Sequence, residues 1–135
     1  MKTAITRKMH FNAAHRLHNE AWSDAENKET FGLCNNPFYH GHNYDLEIKV
    51  IGFADPKTGF VVDVKELKRI VNKNVIDQLD HKNLNVEVPD FKLLNPTVEN
   101  IAMVIYNKIR PEISEELELK ITLYETPRNY AEYPA

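Results

Sequence analysis

From His40 to Val50 the chain leaves little choice of fold. Tyr44, Leu46, Ile48 and Val50 alternate with Asp45, Glu47 and Lys49, and only an extended strand with one buried face separates such residues. His40 and His42 share the parity of the apolar set, so they continue its buried face just past the edge of the core, where an i, i+2 pair of imidazoles can grip one ion. An earlier segment repeats the arrangement: Ile5, Met9, Phe11, Ala13 and His15 share one parity, with Arg7 as an exception, and Ala4, Thr6, Lys8, His10 and Asn12 take the other. If the two strands are antiparallel neighbours, the end of the first lies beside the start of the second and His15 faces His40 and His42. Three imidazoles with an open fourth position is the pattern of a catalytic zinc site, whereas a structural zinc is closed by four ligands, often including cysteine sulfur. The competing account is three satisfied polar residues at strand ends.

The rest of the chain reads as two helices and two more strands. Asp63 with Glu66 three residues on resembles a capping box ahead of Val64, Leu67, Val71, Val75 and Leu79, a single apolar stripe ending near Asp80 and His81. A second helix begins near Asn95, Pro96 and Thr97, runs through Val98, Ile101, Ala102, Ile105 and Ile109, and stops before Pro111. Leu117, Leu119, Ile121 and Leu123 then alternate with Glu118, Lys120, Thr122 and Tyr124, and this apolar parity continues onto Glu125. Thr126 to Asn129 is turn-like, with a short returning strand at Tyr130 to Tyr133. The order ββααββ implies an α+β domain, an antiparallel sheet with both helices packed on one face. Lys82 to Leu94 reads as an irregular connection, and the stretch from Arg16 to Tyr39 as an unusually long one.

At 135 residues the chain suffices for one compact domain, expected over 1–135, and not for two of ordinary size. A net charge of -3 and a pI near 6.1 give no general attraction to nucleic acid or anionic membrane. MKTAITRKMHF lacks the apolar run of a signal peptide, no stretch approaches a membrane span, and one cysteine makes no internal disulfide, so the cytoplasm is the expected compartment.

Three further places could carry chemistry. Cys34 precedes the His40–His42 pair by six residues; a neighbouring zinc or histidinium would turn its thiol into a base or nucleophile, and the alternative is an inert gap-filler. Asp80 could orient the imidazole of His81 for proton transfer, although a histidine at a helix end also answers the helix dipole. Glu125 points inward and needs a donor-rich partner: a heterocycle edge with adjacent ring N–H and amine, or an arginine such as Arg128 or Arg16. His10 and His18 read as ordinary strand or surface residues.

Taken together, CNNPFYHGHNY, FNAAHRL, LDHKNLN, PTVEN and LYET, with SDAENKETFG and DPKTGFVVDVKELK, resemble the 6-pyruvoyl tetrahydropterin synthase family over nearly the whole chain. The resemblance implies the T-fold, with trimers closing a barrel, two trimers stacked as a homohexamer, and active sites between subunits. It implies a lyase acting on 7,8-dihydroneopterin triphosphate, with zinc (Zn2+) held by His15, His40 and His42, Cys34 as the proton-abstracting base, and Asp80 with His81 carrying protons. Glu125 matches the acid that anchors the pterin, and Thr97 and Glu99 fall where family members line the pterin pocket. Five residues separate Cys34 from His40, which resembles the pyruvoyl-forming branch of tetrahydrobiopterin synthesis; the 6-carboxytetrahydropterin synthases of queuosine synthesis, which release acetaldehyde, more often have three. A non-catalytic pterin- or zinc-binding oligomer is a third possibility. Phe38-Tyr39 stands where the pyruvoyl-forming animal enzymes typically have Asn-Gly, making the loop that carries Cys34 bulkier.

Overall fold

The computed structural model describes residues 1–135. In chain order its elements are β1 (Lys2–His15), α1 (Asp24–Phe31), β2 (His40–Phe53), α2 (Val64–Val71), α3 (Asp77–Leu79), β3 (Lys82–Asn83), α4 (Leu84–Glu87), α5 (Val98–Ile109), β4 (Glu118–Thr126) and β5 (Asn129–Tyr133). The sheet order is β3-β1-β2-β4-β5. β1 and β2 pair antiparallel over their whole length, from Lys2 opposite Phe53 to His15 opposite His40, so the two apolar parities fall on one face as their alternation requires. That face supplies Phe11, Tyr44, Leu46, Ile48, Val50, Leu119, Ile121 and Leu123 to the core, while Lys8, His10, Asp45 and Lys49 stay exposed on the other.

The helical layer closes this core with Leu67, Val71, Val75 and Leu79 from the first helical run and Ile101, Ile105 and Ile109 from α5, all fully buried. Asp63 caps α2 by accepting the Lys65 N–H at 2.9 Å, but Glu66 pairs with Arg69 one turn on instead of reaching back, so the capping box is only half made. The run continues through a wide turn at Asn72–Ile76 into α3 and ends where Asp80 turns extended. Thr97 caps α5, its hydroxyl accepting the Asn100 N–H at 3.2 Å.

Two segments hold more order than their sequences suggest. The long Arg16–Tyr39 connection contains α1, a helix without an apolar stripe whose only buried residue is Asn27. It is held by polar contacts: Ser23 caps it, Asn27 bonds the Asn19 backbone in both directions, and Gly32 ends it at φ 58, a conformation that costs glycine little. Lys82–Leu94, read as irregular, contributes β3 alongside Ala13 and Ala14, the short α4 capped by Asn83, and the buried anchors Leu84, Val88 and Phe91.

Candidate active site

The antiparallel register sets the three histidines together. His15 lies directly opposite His40, and Ala13 opposite His42, where its small side chain leaves room for the imidazoles. Phe11 and Tyr44, the next pair down, stack at 4.9 Å between centroids and form the floor beneath them. The three ring centroids lie 4.6 to 5.0 Å apart, and one nitrogen from each ring falls within 4.8 Å of the others. In a tetrahedral zinc site neighbouring ligand nitrogens are about 3.4 Å apart, a spacing this cluster accommodates.

The hydrogen bonding fits an ion there. His15 is fully buried, and its Nδ1–H donates to the Pro96 carbonyl at 2.7 Å, which leaves a bare lone pair on Nε2. That lone pair sits 3.0 Å from His40 Nε2, while His42 Nε2 is buried with no hydrogen-bond partner. Lone pairs converging in a buried space repel unless a cation or proton lies between them. His15, His40 and His42 can therefore hold a metal ion, and the Pro96 carbonyl is the outer partner that fixes one ring.

Burial holds His15 neutral, drawing its pKa from 6.5 down to about 4 against the opposing pull of the Pro96 carbonyl, with His40 and His42 lowering it further. The unfolded chain takes up this proton near pH 6.5 and the folded chain only near 4. The metal-free protein is accordingly expected to lose about 3 kcal/mol of stability as pH falls through that window, with no further pH dependence from this group above it. Thermal unfolding of metal-free protein at several pH values checks this; a Tm independent of pH across the window contradicts it.

Glu125 reaches the same place from the far strand. Continuing the β2–β4 register past Asp45 and Tyr124 sets it level with Tyr44, at an irregularity in the β4–β5 pairing of the kind that re-aims a side chain. Its carboxylate lies 3.9 Å from Nε2 of both His15 and His42, and neither Arg128 nor Arg16 pairs with it, so the arginine alternative is not realised. Cys34 sits half-buried in a turn over Gly32–Asn35, its carbonyl pinned by the Leu17 N–H at 2.9 Å. Burial and then the charge of Glu125 push its thiol pKa up, the wrong direction for a base unless a cation lies near. Tyr44 is a member of the site that parity reasoning passed over as core: its ring packs edge-on to His15 and His42, and its hydroxyl is buried without a partner.

Asp80 and His81 stand apart. Asp80 bonds the Asn12 N–H with one carboxylate oxygen and His81 Nδ1 with the other, both at 2.9 Å, and His81 N–H donates to the Asn12 carbonyl. The pair thus ties the helical run to the edge of β1 on the side of His10, with the His81 side chain 77% exposed. His81 adopts φ 60, strained for a non-glycine residue. Within one chain the pair makes no hydrogen bond or ion pair to the histidines, Cys34 or Glu125. Thr97 is occupied as the α5 cap, and Glu99 is exposed in the first turn.

Sheet, helices and strand-end histidines together define a T-fold protein with a site able to hold a metal ion. The chain belongs to the 6-pyruvoyl tetrahydropterin synthase family, whose model matches residues 4–135. It is 47% identical over 124 residues to a putative 6-pyruvoyl tetrahydrobiopterin synthase of Caenorhabditis elegans, covering 91% of this chain and 88% of that one. It is 43% identical over 129 residues to the 6-pyruvoyl tetrahydrobiopterin synthase of Poecilia reticulata, covering 96% and 88%. The solved structure of C. elegans 6-pyruvoyl tetrahydropterin synthase superposes with a TM-score of 0.92 at 44% identity, over 98% of this chain and 95% of that one. No helix is long and apolar enough to cross a membrane.

Proposed function

We propose that this protein is a zinc-dependent lyase that converts 7,8-dihydroneopterin triphosphate to 6-pyruvoyl tetrahydropterin and releases triphosphate. The observation that carries the reading is the convergence of His15, His40 and His42 with Glu125 at one end of the sheet, in a chain whose relatives at 43% and 47% identity bear the pyruvoyl-forming name. When bound by the three histidines, zinc supplies Lewis-acid polarisation of the substrate's side-chain hydroxyls and a positive charge beside the thiol. The Pro96 carbonyl keeps His15 in the tautomer that offers Nε2. Cys34 takes the proton from the side-chain carbon, and Asp80 orients His81 to return protons during the internal redox transfer and loss of triphosphate. Glu125 accepts the adjacent N–H groups of the pterin edge as a bidentate pair, with Thr97 and Glu99 lining the pterin pocket.

A homohexamer built as two stacked trimers brings Asp80 and His81 to a neighbour's site, which explains why they stand apart in the single chain. Two features support assembly. β3 covers only Ala13 and Ala14, so most of β1 is an open edge, and Leu33, Phe38, Val86 and Leu93 are exposed. Light scattering is expected to give six times the 15.7 kDa chain mass.

A second reading keeps fold, metal and substrate and yields 6-carboxytetrahydropterin with acetaldehyde. It draws support from Phe38 and Tyr39, bulky residues in the loop behind Cys34, Tyr39 in the left-handed region at φ 68. Mass spectrometry of the pterin product beside an acetaldehyde assay separates the two: a retained three-carbon side chain supports the first, stoichiometric acetaldehyde the second.

Glu125→Gln is expected to weaken substrate binding about 10- to 100-fold, because the amide keeps the volume and loses the charge-assisted pair. Metal content and Tm should hold. Loss of metal in that variant would assign the carboxylate to the metal shell, to which its 3.9 Å approach to two histidines also brings it close.

A further inference from the structure

A cavity of about 670 Å3 opens between the segment that follows β1 and the segment that precedes α5. Its wall starts one residue beyond two of the three histidines, since Arg16 follows His15, Tyr39 precedes His40, and both line it. Pro96, whose carbonyl receives the His15 Nδ1–H, lines it too. A chain held by its hydroxyls at the histidines thus has this cavity one residue away.

The cavity is furnished with donors. Arg16, His18 and Lys92 line it against a single carboxylate, Glu20, and neither Arg16 nor Lys92 enters any ion pair in the chain. Asn35, buried and adjacent to Cys34, arranges two of the three. Its backbone carbonyl accepts Arg16 Nε–H at 2.9 Å, which leaves both terminal nitrogens of the guanidinium uncommitted. Its side-chain amide donates to the Leu17 carbonyl at 2.8 Å, and because a carbonyl only accepts, this fixes which end of the amide is nitrogen. The same nitrogen lies 2.9 Å from His18 Nδ1, so that ring nitrogen accepts and the imidazole proton sits on Nε2, free as a donor. A guanidinium fork, an imidazole N–H and an ammonium suit an anion with several oxygens in a row. The Tyr39 ring completes the wall from a backbone at φ 68, strain of a kind that persists where the surroundings enforce it and that gathers at ligand sites.

We propose that this cavity is a polyphosphate subsite in which Arg16, His18 and Lys92 receive the triphosphate tail of the substrate, an assignment that rests on the dihydroneopterin triphosphate reading above. Titration calorimetry of the metal-loaded protein with sodium tripolyphosphate tests it, beside steady-state kinetics. Arg16→Ala and Lys92→Ala are each expected to weaken tripolyphosphate about tenfold and to raise KM for 7,8-dihydroneopterin triphosphate by a similar factor. Binding of 7,8-dihydroneopterin without phosphates should be equal in all three proteins. Lys92 is exposed and unpaired, so Lys92→Ala keeps the fold even if Arg16→Ala, which loses its bond to Asn35, does not. Tripolyphosphate affinity that is unchanged in Lys92→Ala, or that disappears only in His42→Ala because the anion sits on the metal, overturns the subsite; so does a KM that ignores both variants. Wild-type turnover in the same experiment tests the substrate reading separately, since the anion affinities report the subsite whether or not product forms.

Discussion

His42→Ala is expected to leave the purified protein with almost no bound metal and no measurable turnover, while the wild type carries about one zinc per chain. Two of three nitrogen ligands with an open remainder bind an ion far more weakly than three, because the lost imidazole bond is replaced by one to water. Glu125 is the nearest acid, and its oxygens approach His15 and His42 but not His40 closely enough to form an ion pair. His15→Ala should remove the metal equally and cost stability besides, since it empties a fully buried position and strands the Pro96 carbonyl. His10→Ala is the matched control: the same residue type on the same strand, five positions earlier and on the exposed face, expected to change neither metal content nor activity. Metal analysis after dialysis reads all three. Full zinc in His42→Ala would remove these residues from the metal shell.

The histidine cluster is legible in sequence because it obeys the rule that makes the sheet. Side-chain alternation with period two put His15, His40 and His42 on the apolar face, and antiparallel pairing of two strands joined through one connection put their ends together; the register of His15 opposite His40 is what that logic demands. Glu125 was legible for the same reason, as the next residue in the parity of Leu119, Ile121 and Leu123. The helices followed from their apolar stripes. Contacts made by backbone groups left no such trace. Nothing in the residue types links Pro96 to His15 across 81 positions, yet its carbonyl selects the tautomer of a ring in the histidine cluster.

Polar structure was harder to read than apolar structure. α1 carries no stripe and is fixed by Asn27 and Ser23, so periodicity does not reveal it, and His18 reads as ordinary because what orients its ring is an amide, Asn35, seventeen residues away. Parity places Tyr44 in the core, where the structure has it, but parity does not say that its hydroxyl is left unpaired beside the histidines. The Asp80–His81 pair shows the opposite case. Its sequence neighbourhood resembles a catalytic pair, and the single chain sets it at the β1 edge, where Asp80 is held by the Asn12 N–H; the subunit assembly proposed above would bring it to a site, and one chain's alternation does not encode such a division.

Cys34→Ala is expected to reduce turnover by about 10²- to 10⁴-fold, the range for loss of a positioned general base, with zinc content, assembly and Tm retained. The structure makes the expectation a demanding one. In the metal-free chain the thiol is pushed up by burial and by Glu125, so it works as a base only if the site's cation offsets both. Iodoacetamide labelling of Cys34 should therefore speed up when zinc is added to metal-free protein, and slow again in His42→Ala. His81→Ala should lose activity on a comparable scale, and the double variant with Cys34→Ala should be little worse than either alone, because residues that pass one proton act as a unit. His81 is the cleaner probe of the pair: Asp80 also accepts the Asn12 N–H, so Asp80→Asn disturbs the end of the helical run as well as the imidazole. If Cys34→Ala keeps wild-type turnover, the residue is the inert half-buried filler that free cysteines commonly are, and the base lies elsewhere. If it loses zinc, the thiol belongs to the metal shell and the three-histidine assignment has to be redrawn.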